Sequence, residues 1–168
     1  MDAVLDRYCR FIEAVIVVCL AAMVVLVFGN VVLRYAFNSG IAVSEEISRW
    51  LFVWLTFLGA VVGLHEHAHL GTDLLVGSLG PAGRKACLVV AYALMLLMCW
   101  MVFSGSLEQT KINWDVTAPS SGASMAWFYS AGLVFSVSAA VVLLADLWRV
   151  LSGRARDDEL VIVREEQA

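Results

Sequence analysis

The chain has 168 residues, of which 61% are hydrophobic and only 15% are charged. A soluble domain has about 45–50% apolar and about 25% charged residues, so this composition excludes a soluble globular protein and indicates a membrane protein. The net charge of −4 adds little, because the positions of the charges matter more than their sum in a membrane protein.

Four apolar runs predict four transmembrane helices, so we expect an all-α membrane protein. The runs cover residues 11–33, 47–64, 87–107 and 125–147. At 1.5 Å per residue the first run is about 34 Å long, enough to cross a hydrocarbon core of about 30 Å. It is also longer than the apolar region of a signal peptide, so we expect a retained helix. Residues 1–150 would then form the membrane domain and residues 151–168 a charged tail.

Residues 34–44 connect the first two runs and are expected to lie along the membrane surface, since Tyr35 and Phe37 are aromatic residues typical of that depth. Ser44 is a good helix N-cap. Glu45 and Glu46 would then occupy the first turn of the second helix, where the helix dipole favours acidic side chains.

Arg49 lies four residues after Glu45 and three after Glu46, so a helix places all three side chains on one face. Two interpretations of this group remain open. It is either a solvated helix start with an ordinary ion pair, or a buried network with Arg34 that docks the surface segment or a partner helix.

Small residues at helical spacing indicate close helix packing in two of the runs. Gly59 and Gly63 form a G-x-x-x-G pair in the second run, and Gly132, Ser136 and Ala140 recur every four residues in the fourth. Such positions let another helix backbone approach closely.

A metal or haem site is not expected. His65, His67 and His69 alternate in the second loop, but residues two apart on a helix point away from each other. No histidine lies inside an apolar run, which argues against an anchor that holds its own haem. The four cysteines form no C-x-x-C pair and are expected to be small buried hydrophobic residues. We therefore expect no cofactor.

The middles of all four runs carry neither charge nor proline. A transport site usually contains charged or interrupted helix segments near mid-membrane, and no nucleophile–base pair or phosphate-binding loop is visible. These observations favour a non-enzymatic scaffold or accessory subunit. The alternatives are the membrane anchor of a redox enzyme complex and a self-sufficient four-helix exporter.

The Lys and Arg residues predict the orientation of the chain. Eight fall on the side that holds both termini and the second loop, and three fall in the first and third loops. The positive-inside rule then places both termini in the cytoplasm.

At these residues the sequence resembles the small membrane subunit (the Q, or DctQ-like, subunit) of TRAP transporters. The resemblance covers about residues 5–150, with Val43 where the family usually has Trp. Its motifs are Asn30-Val31-x-x-Arg34-Tyr35-x-Phe37-Asn38, Ser44-Glu45-Glu46-x-x-Arg49, Trp54…Phe57-x-Gly59-Ala60 and His69-Leu70-x-x-Asp73.

The resemblance implies a multi-pass protein of the bacterial inner membrane that works in a tripartite system. A periplasmic protein would bind an organic acid, such as a carboxylate. A large membrane subunit would carry the sodium and substrate sites and move as an elevator, while the small subunit, embedded among membrane lipids, enlarges its static scaffold. Nucleic acid would play no part. The structural or partner-interface residues expected on this basis are Arg34, Glu45, Glu46, Arg49, Gly59, Gly63, His69 and Asp73.

Overall fold

A computed structural model describes residues 2–65 and 81–151 of the chain, and these contain four long helices. The helices are α1 (Asp2–Phe37), α2 (Ala42–His65), α3 (Pro81–Ile112) and α4 (Ala126–Leu151). Each contains an apolar stretch long enough to cross a membrane, and these two described ranges contain no strand. The predicted all-α fold with four transmembrane helices is therefore confirmed.

Every helix is longer than the apolar run that predicted it. The helix α1 has 36 residues and α3 has 32, about 54 and 48 Å at 1.5 Å per residue. An apolar run marks only the part of a helix that crosses the hydrocarbon core, whereas the backbone hydrogen bonds continue into the polar flanks. Of the expected tail, residues 152–168 lie outside the described residues.

The connection between α1 and α2 is shorter than expected. Arg34 to Phe37 continue α1, so only residues 38–41 separate the two helices. Asn38 has a φ of 51°, the left-handed conformation that commonly follows the last residue of a helix. The surface segment expected over residues 34–44 is not confirmed.

Within the described residues the four helices pack mainly as a row, and a hydrogen bond between Tyr8 and Ser138 is a further contact between α1 and α4. The helix α1 packs along α2, α2 packs along α4, and α4 packs along α3. The helices α1 and α3 therefore form the two edges. In the most apolar 18-residue stretch of α1, and likewise of α3, only 6% of the residues are buried, whereas 44% are buried in the corresponding stretch of α4.

Two apolar clusters hold the row together. Ile12, Leu58 and Val61 form the first, between α1 and α2. The second consists of Cys99, Ala139 and Leu143, between α3 and α4. Phe135 of α4 packs against both clusters and so joins the two halves of the row.

The helices α3 and α4 pack tightly at Gly132. A Cβ atom on Gly132 would overlap the Ser106 hydroxyl and lie 3.1 Å from the Ser106 Cβ. Ser136, one turn further along α4, is only 2% exposed. The packing role predicted for the small residues of the fourth run is thus confirmed at these two positions.

The row has two ends, which we name by one residue each. The Glu46 end contains the α1–α2 connection and the loop between α3 and α4 (residues 113–125). The His65 end lies opposite and contains the first turns of α1 and the last turn of α2.

Candidate functional site

The polar residues that the sequence singled out lie mainly at the Glu46 end, where Glu46 connects α2 to the α3–α4 loop. Its side chain is buried, with 9% exposure. Glu46 Oε2 accepts a hydrogen bond from the Ser120 amide at 3.0 Å, and Oε1 accepts one from the Ser121 amide at 3.2 Å. The Ser121 hydroxyl also donates to Oε1. A carboxylate held by several N–H and O–H donors makes charge-assisted hydrogen bonds, which are stronger than neutral ones.

The α3–α4 loop is built to present those donors. Thr117 and Ser124 form an isolated antiparallel bridge, and the Ala118 amide donates to Ala123 O at 2.8 Å. Gly122 has a φ of 69°, a left-handed conformation that glycine adopts without steric cost. The turn from Pro119 to Gly122 thereby directs two successive amides towards Glu46.

A second set of contacts closes the hairpin between α1 and α2. Asn30 is 8% exposed, and its Oδ1 accepts a hydrogen bond from the Ile41 amide at 2.7 Å. Its Nδ2 donates to Glu45 Oε1 at 3.2 Å. The Ser44 hydroxyl donates to Leu26 O at 2.8 Å. A buried amide that uses both its donor and its acceptor fixes the start of α2 against α1.

The N-cap role expected of Ser44 is wrong. The helix α2 begins at Ala42, and Ser44 lies inside the first turn, with its amide donating to Ile41 O at 3.0 Å. The side chain of Asn30 accepts from an amide at the helix start, the task that a capping side chain usually performs, so the helix can begin two residues before Ser44.

The expected pairing of Arg49 with the two glutamates is not found. Glu45 faces α1 and Glu46 faces the α3–α4 loop, so their carboxylates are already engaged by uncharged donors. Within residues 2–65 and 81–151, Arg34 and Arg49 are exposed and make no ion pair. Neither the simple ion pair nor the buried network with Arg34 forms within this part of the chain.

Gly59 and Gly63 do not form a close crossing within the described chain. A Cβ atom at either position would meet no atom within 4 Å. The expected approach of another helix backbone is therefore not made by α1, α3 or α4, and the space beside both glycines is open.

The histidines separate into two groups. His65 ends α2, and its Nε2 lies 3.0 Å from Asp6 Oδ1 of α1. Nearby, the Tyr8 and Ser138 hydroxyls share a hydrogen bond of 2.7 Å. His67, His69 and Asp73 lie outside the described residues. Among those that are described, no group of three His, Cys, Asp or Glu side chains is placed to hold a metal ion.

Sequence reasoning missed the residues that complete the Glu46 end. Asn30 was one letter in a motif, and Ser120 and Ser121 received no role. The sequence did contain a signal for Asn30. This residue lies within an apolar run, and a side-chain amide that is buried there needs hydrogen-bond partners.

Comparisons with known proteins give the chain clear relatives. Residues 23–153 match the family described as "Tripartite ATP-independent periplasmic transporters, DctQ component". A TRAP transporter small permease protein of Haemophilus influenzae is 40% identical over 138 residues, which cover 82% of this chain and 86% of that protein. A second protein of that name from the same organism is 34% identical over 77% of this chain and 78% of its own length.

A third relative carries a substrate in its name. The C4-dicarboxylate TRAP transporter small permease protein DctQ of Vibrio cholerae is 35% identical over 92 residues, which cover 55% of this chain and 38% of that protein. The family is one of transporters, so the comparisons give no support to the alternative of a redox-enzyme anchor.

Proposed function

Because this chain belongs to the DctQ family of TRAP transporter small permease subunits, we propose that it forms a fixed framework for the large membrane subunit. In this proposal the chain is a multi-pass inner-membrane protein that catalyses no reaction and encloses no substrate or ion site. The large subunit carries those sites and moves against the framework.

One observation supports the framework role above the others: the charged groups of the described chain lie towards the ends of the helices. Residues 14–33, 50–64, 86–107 and 126–145 contain no charged side chain. A pathway for an ion or an organic acid usually has charged or interrupted helix segments near mid-membrane, and these four stretches contain neither a charge nor a proline. The chain is suited to mechanical support and not to conduction.

The transport cycle that this role serves is the one implied by the resemblance. A periplasmic binding protein delivers an organic acid, the large subunit couples its import to sodium, and the carrier part of that subunit moves like an elevator. The named substrate of the Vibrio cholerae relative, a C4-dicarboxylate, supports a carboxylate as the cargo class. Both termini of the present chain lie in the cytoplasm, in keeping with the positive-inside rule.

The row leaves room for the large subunit. Its edge helices α1 and α3 expose apolar side chains along their length. The space beside Gly59 and Gly63 on α2 would admit a foreign helix closely, since small residues at i and i+4 favour such crossings. Arg34 and Arg49 are exposed at the Glu46 end and available to a partner.

Glu45 and Glu46 have a different role in this proposal. Both oxygens of Glu46 accept hydrogen bonds from this chain, and Glu45 accepts one through Oε1, so both side chains hold the Glu46 end in shape. His69 and Asp73 remain candidate interface residues on the strength of their motif alone.

The test is the replacement of Arg49 by alanine in a strain that expresses the whole transporter. Arg49 is exposed and makes no hydrogen bond or ion pair within the described residues, so we expect Arg49→Ala to insert normally, to co-purify less of the large subunit and to lower uptake. Lys111→Ala is the matched control, because Lys111 is also an exposed cation at the Glu46 end. Normal co-purification together with normal uptake in Arg49→Ala would remove Arg49 from the interface.

A further inference from the structure

A half-open cavity of about 220 Å³ lies between the last turns of α1 and the first turn of α2. Its lining combines apolar and polar side chains. They are Val27, Val31, Asn30, Arg34, Tyr35, Ser44 and Glu45.

The cavity carries one positive and one negative group that do not pair with each other. Arg34 makes no ion pair in the described part of the chain. Glu45 uses Oε1 to accept from Asn30 Nδ2, which leaves Oε2 as an open acceptor. A ligand with an anionic group and a primary ammonium group would satisfy both side chains through charge-assisted hydrogen bonds.

The depth of the cavity in the membrane indicates where such a ligand comes from. Glu13 and Arg34 enclose twenty uncharged residues of α1, which span about 30 Å at 1.5 Å per residue. This equals the thickness of a hydrocarbon core, so Arg34 lies at the level of the lipid headgroups when Glu13 lies at the opposite boundary.

An apolar track leads from the cavity towards the bilayer centre. Val31 and Val27 precede Arg34 by three and seven residues, so all three lie on one face of α1. Their side chains are 45% and 48% exposed. An acyl chain of a lipid held at Arg34 would lie over these two residues.

We propose that this cavity binds one phospholipid with a primary-amine headgroup, of the phosphatidylethanolamine type. Arg34 binds its phosphate, Glu45 Oε2 accepts from its ammonium group, and one acyl chain packs on Val31 and Val27. A choline headgroup has no N–H to donate to Glu45, and a glycerol headgroup has no cation. The site therefore distinguishes headgroups, which a shell of loosely bound lipid does not.

The experiment uses the chain co-purified with its large subunit, stripped of lipid by detergent exchange. Native mass spectrometry then follows the binding of phosphatidylethanolamine, phosphatidylcholine and phosphatidylglycerol with identical acyl chains. We expect one phosphatidylethanolamine per complex, bound at least about tenfold more tightly than phosphatidylcholine, which corresponds to about 1.4 kcal/mol.

Three variants assign the two headgroup contacts. Arg34→Gln should weaken both phosphatidylethanolamine and phosphatidylglycerol, whereas Glu45→Gln should remove only the preference for phosphatidylethanolamine. Glutamine keeps an oxygen for Asn30, so the hairpin remains closed. Lys111→Gln, which removes a cation at the same end of the row, should leave both affinities unchanged.

Three results would overturn the proposal. They are equal binding of the ethanolamine and choline lipids, equal loss of lipid in Arg34→Gln and Lys111→Gln, and lipid binding by the isolated chain that disappears in the complex. The last result would mean that the large subunit covers the cavity. None of these readouts depends on uptake, so the framework role is tested separately.

Discussion

Glu46 and Ser121 lie 75 positions apart in the sequence, yet the carboxylate of Glu46 accepts hydrogen bonds from both the amide and the hydroxyl of Ser121. Together with the Ser120 amide, this contact fixes the first turn of α2 to the loop that leads into α4. The Glu46 end is therefore held by a carboxylate bound to backbone amides, a connection that needs no arginine.

Replacing Glu46 by alanine should loosen the α3–α4 loop, because the Ser120 and Ser121 amides would lose their acceptor. We expect the midpoint of thermal unfolding in detergent to fall by at least about 2–4 °C, the shift that corresponds to a loss of about 1 kcal/mol in a chain of this size. Hydrogen exchange of residues 117–124 should increase in the same variant.

Glu108→Ala is the matched control, since Glu108 is exposed near the end of α3. It should leave the midpoint and the loop exchange unchanged. Equal exchange of the loop in the Glu46 and Glu108 variants would show that the Glu46 contacts do not hold the loop.

Replacing Asn30 by leucine should open the start of α2. The Ile41 amide would lose its acceptor and Glu45 its donor, and a buried group left without a partner costs about 1–3 kcal/mol. We expect faster hydrogen exchange at residues 38–44, measured by mass spectrometry. The variant Asn30→Asp keeps an acceptor for the Ile41 amide. Hydrogen exchange of that amide should therefore be slower in Asn30→Asp than in Asn30→Leu. Identical exchange in the two variants would contradict the role given to Asn30 Oδ1.

The sequence predicted the number and type of the helices because hydrophobic runs of membrane-spanning length have few other interpretations. It also predicted close packing at Gly132 and Ser136 from their spacing. It failed at Ser44, where the usual preference for serine at a helix N-cap was overridden by Asn30, a residue from the neighbouring helix.

The pairing of Arg49 with Glu45 and Glu46 failed for a related reason. Helical spacing shows which side chains can meet, but it does not show which other donors compete for them. The amides of Ser120 and Ser121 lie in a loop whose conformation depends on Gly122, and nothing local to α2 encodes that contact. Gly59 and Gly63 illustrate the opposite case, in which the pattern is present and the described chain supplies no partner.

Gly132→Ala should destabilise the packing of α3 on α4. The added Cβ would overlap the Ser106 hydroxyl, and overpacking of this kind costs about 1–3 kcal/mol. Gly59→Ala adds the same methyl group to open space, so the isolated chain should tolerate it in a thermal unfolding assay. The double variant with Ser106→Ala should recover part of the loss, because the hydroxyl is removed while the Ser106 Cβ stays 3.1 Å away. A neutral Gly132→Ala would show that the two helices can separate without cost.

The contact between His65 and Asp6 should contribute little to stability. It joins two side chains that are 24% and 57% exposed, and exposed pairs contribute about 0–1 kcal/mol. We expect His65→Ala to change the free energy of unfolding by less than about 1 kcal/mol in a denaturant titration. A larger loss would mean that the pair is needed to hold α1 on α2 at the His65 end.

The central claim is that this chain supports transport without providing a pathway, and reconstitution in proteoliposomes tests it most directly. The chain and the large subunit are inserted separately and together, the binding protein is added with its organic acid, and uptake of the acid and of sodium is measured. We predict that the chain alone carries neither solute, and that uptake by the large subunit rises when the chain is present. Passage of sodium or the organic acid through vesicles that contain only this chain would contradict the account.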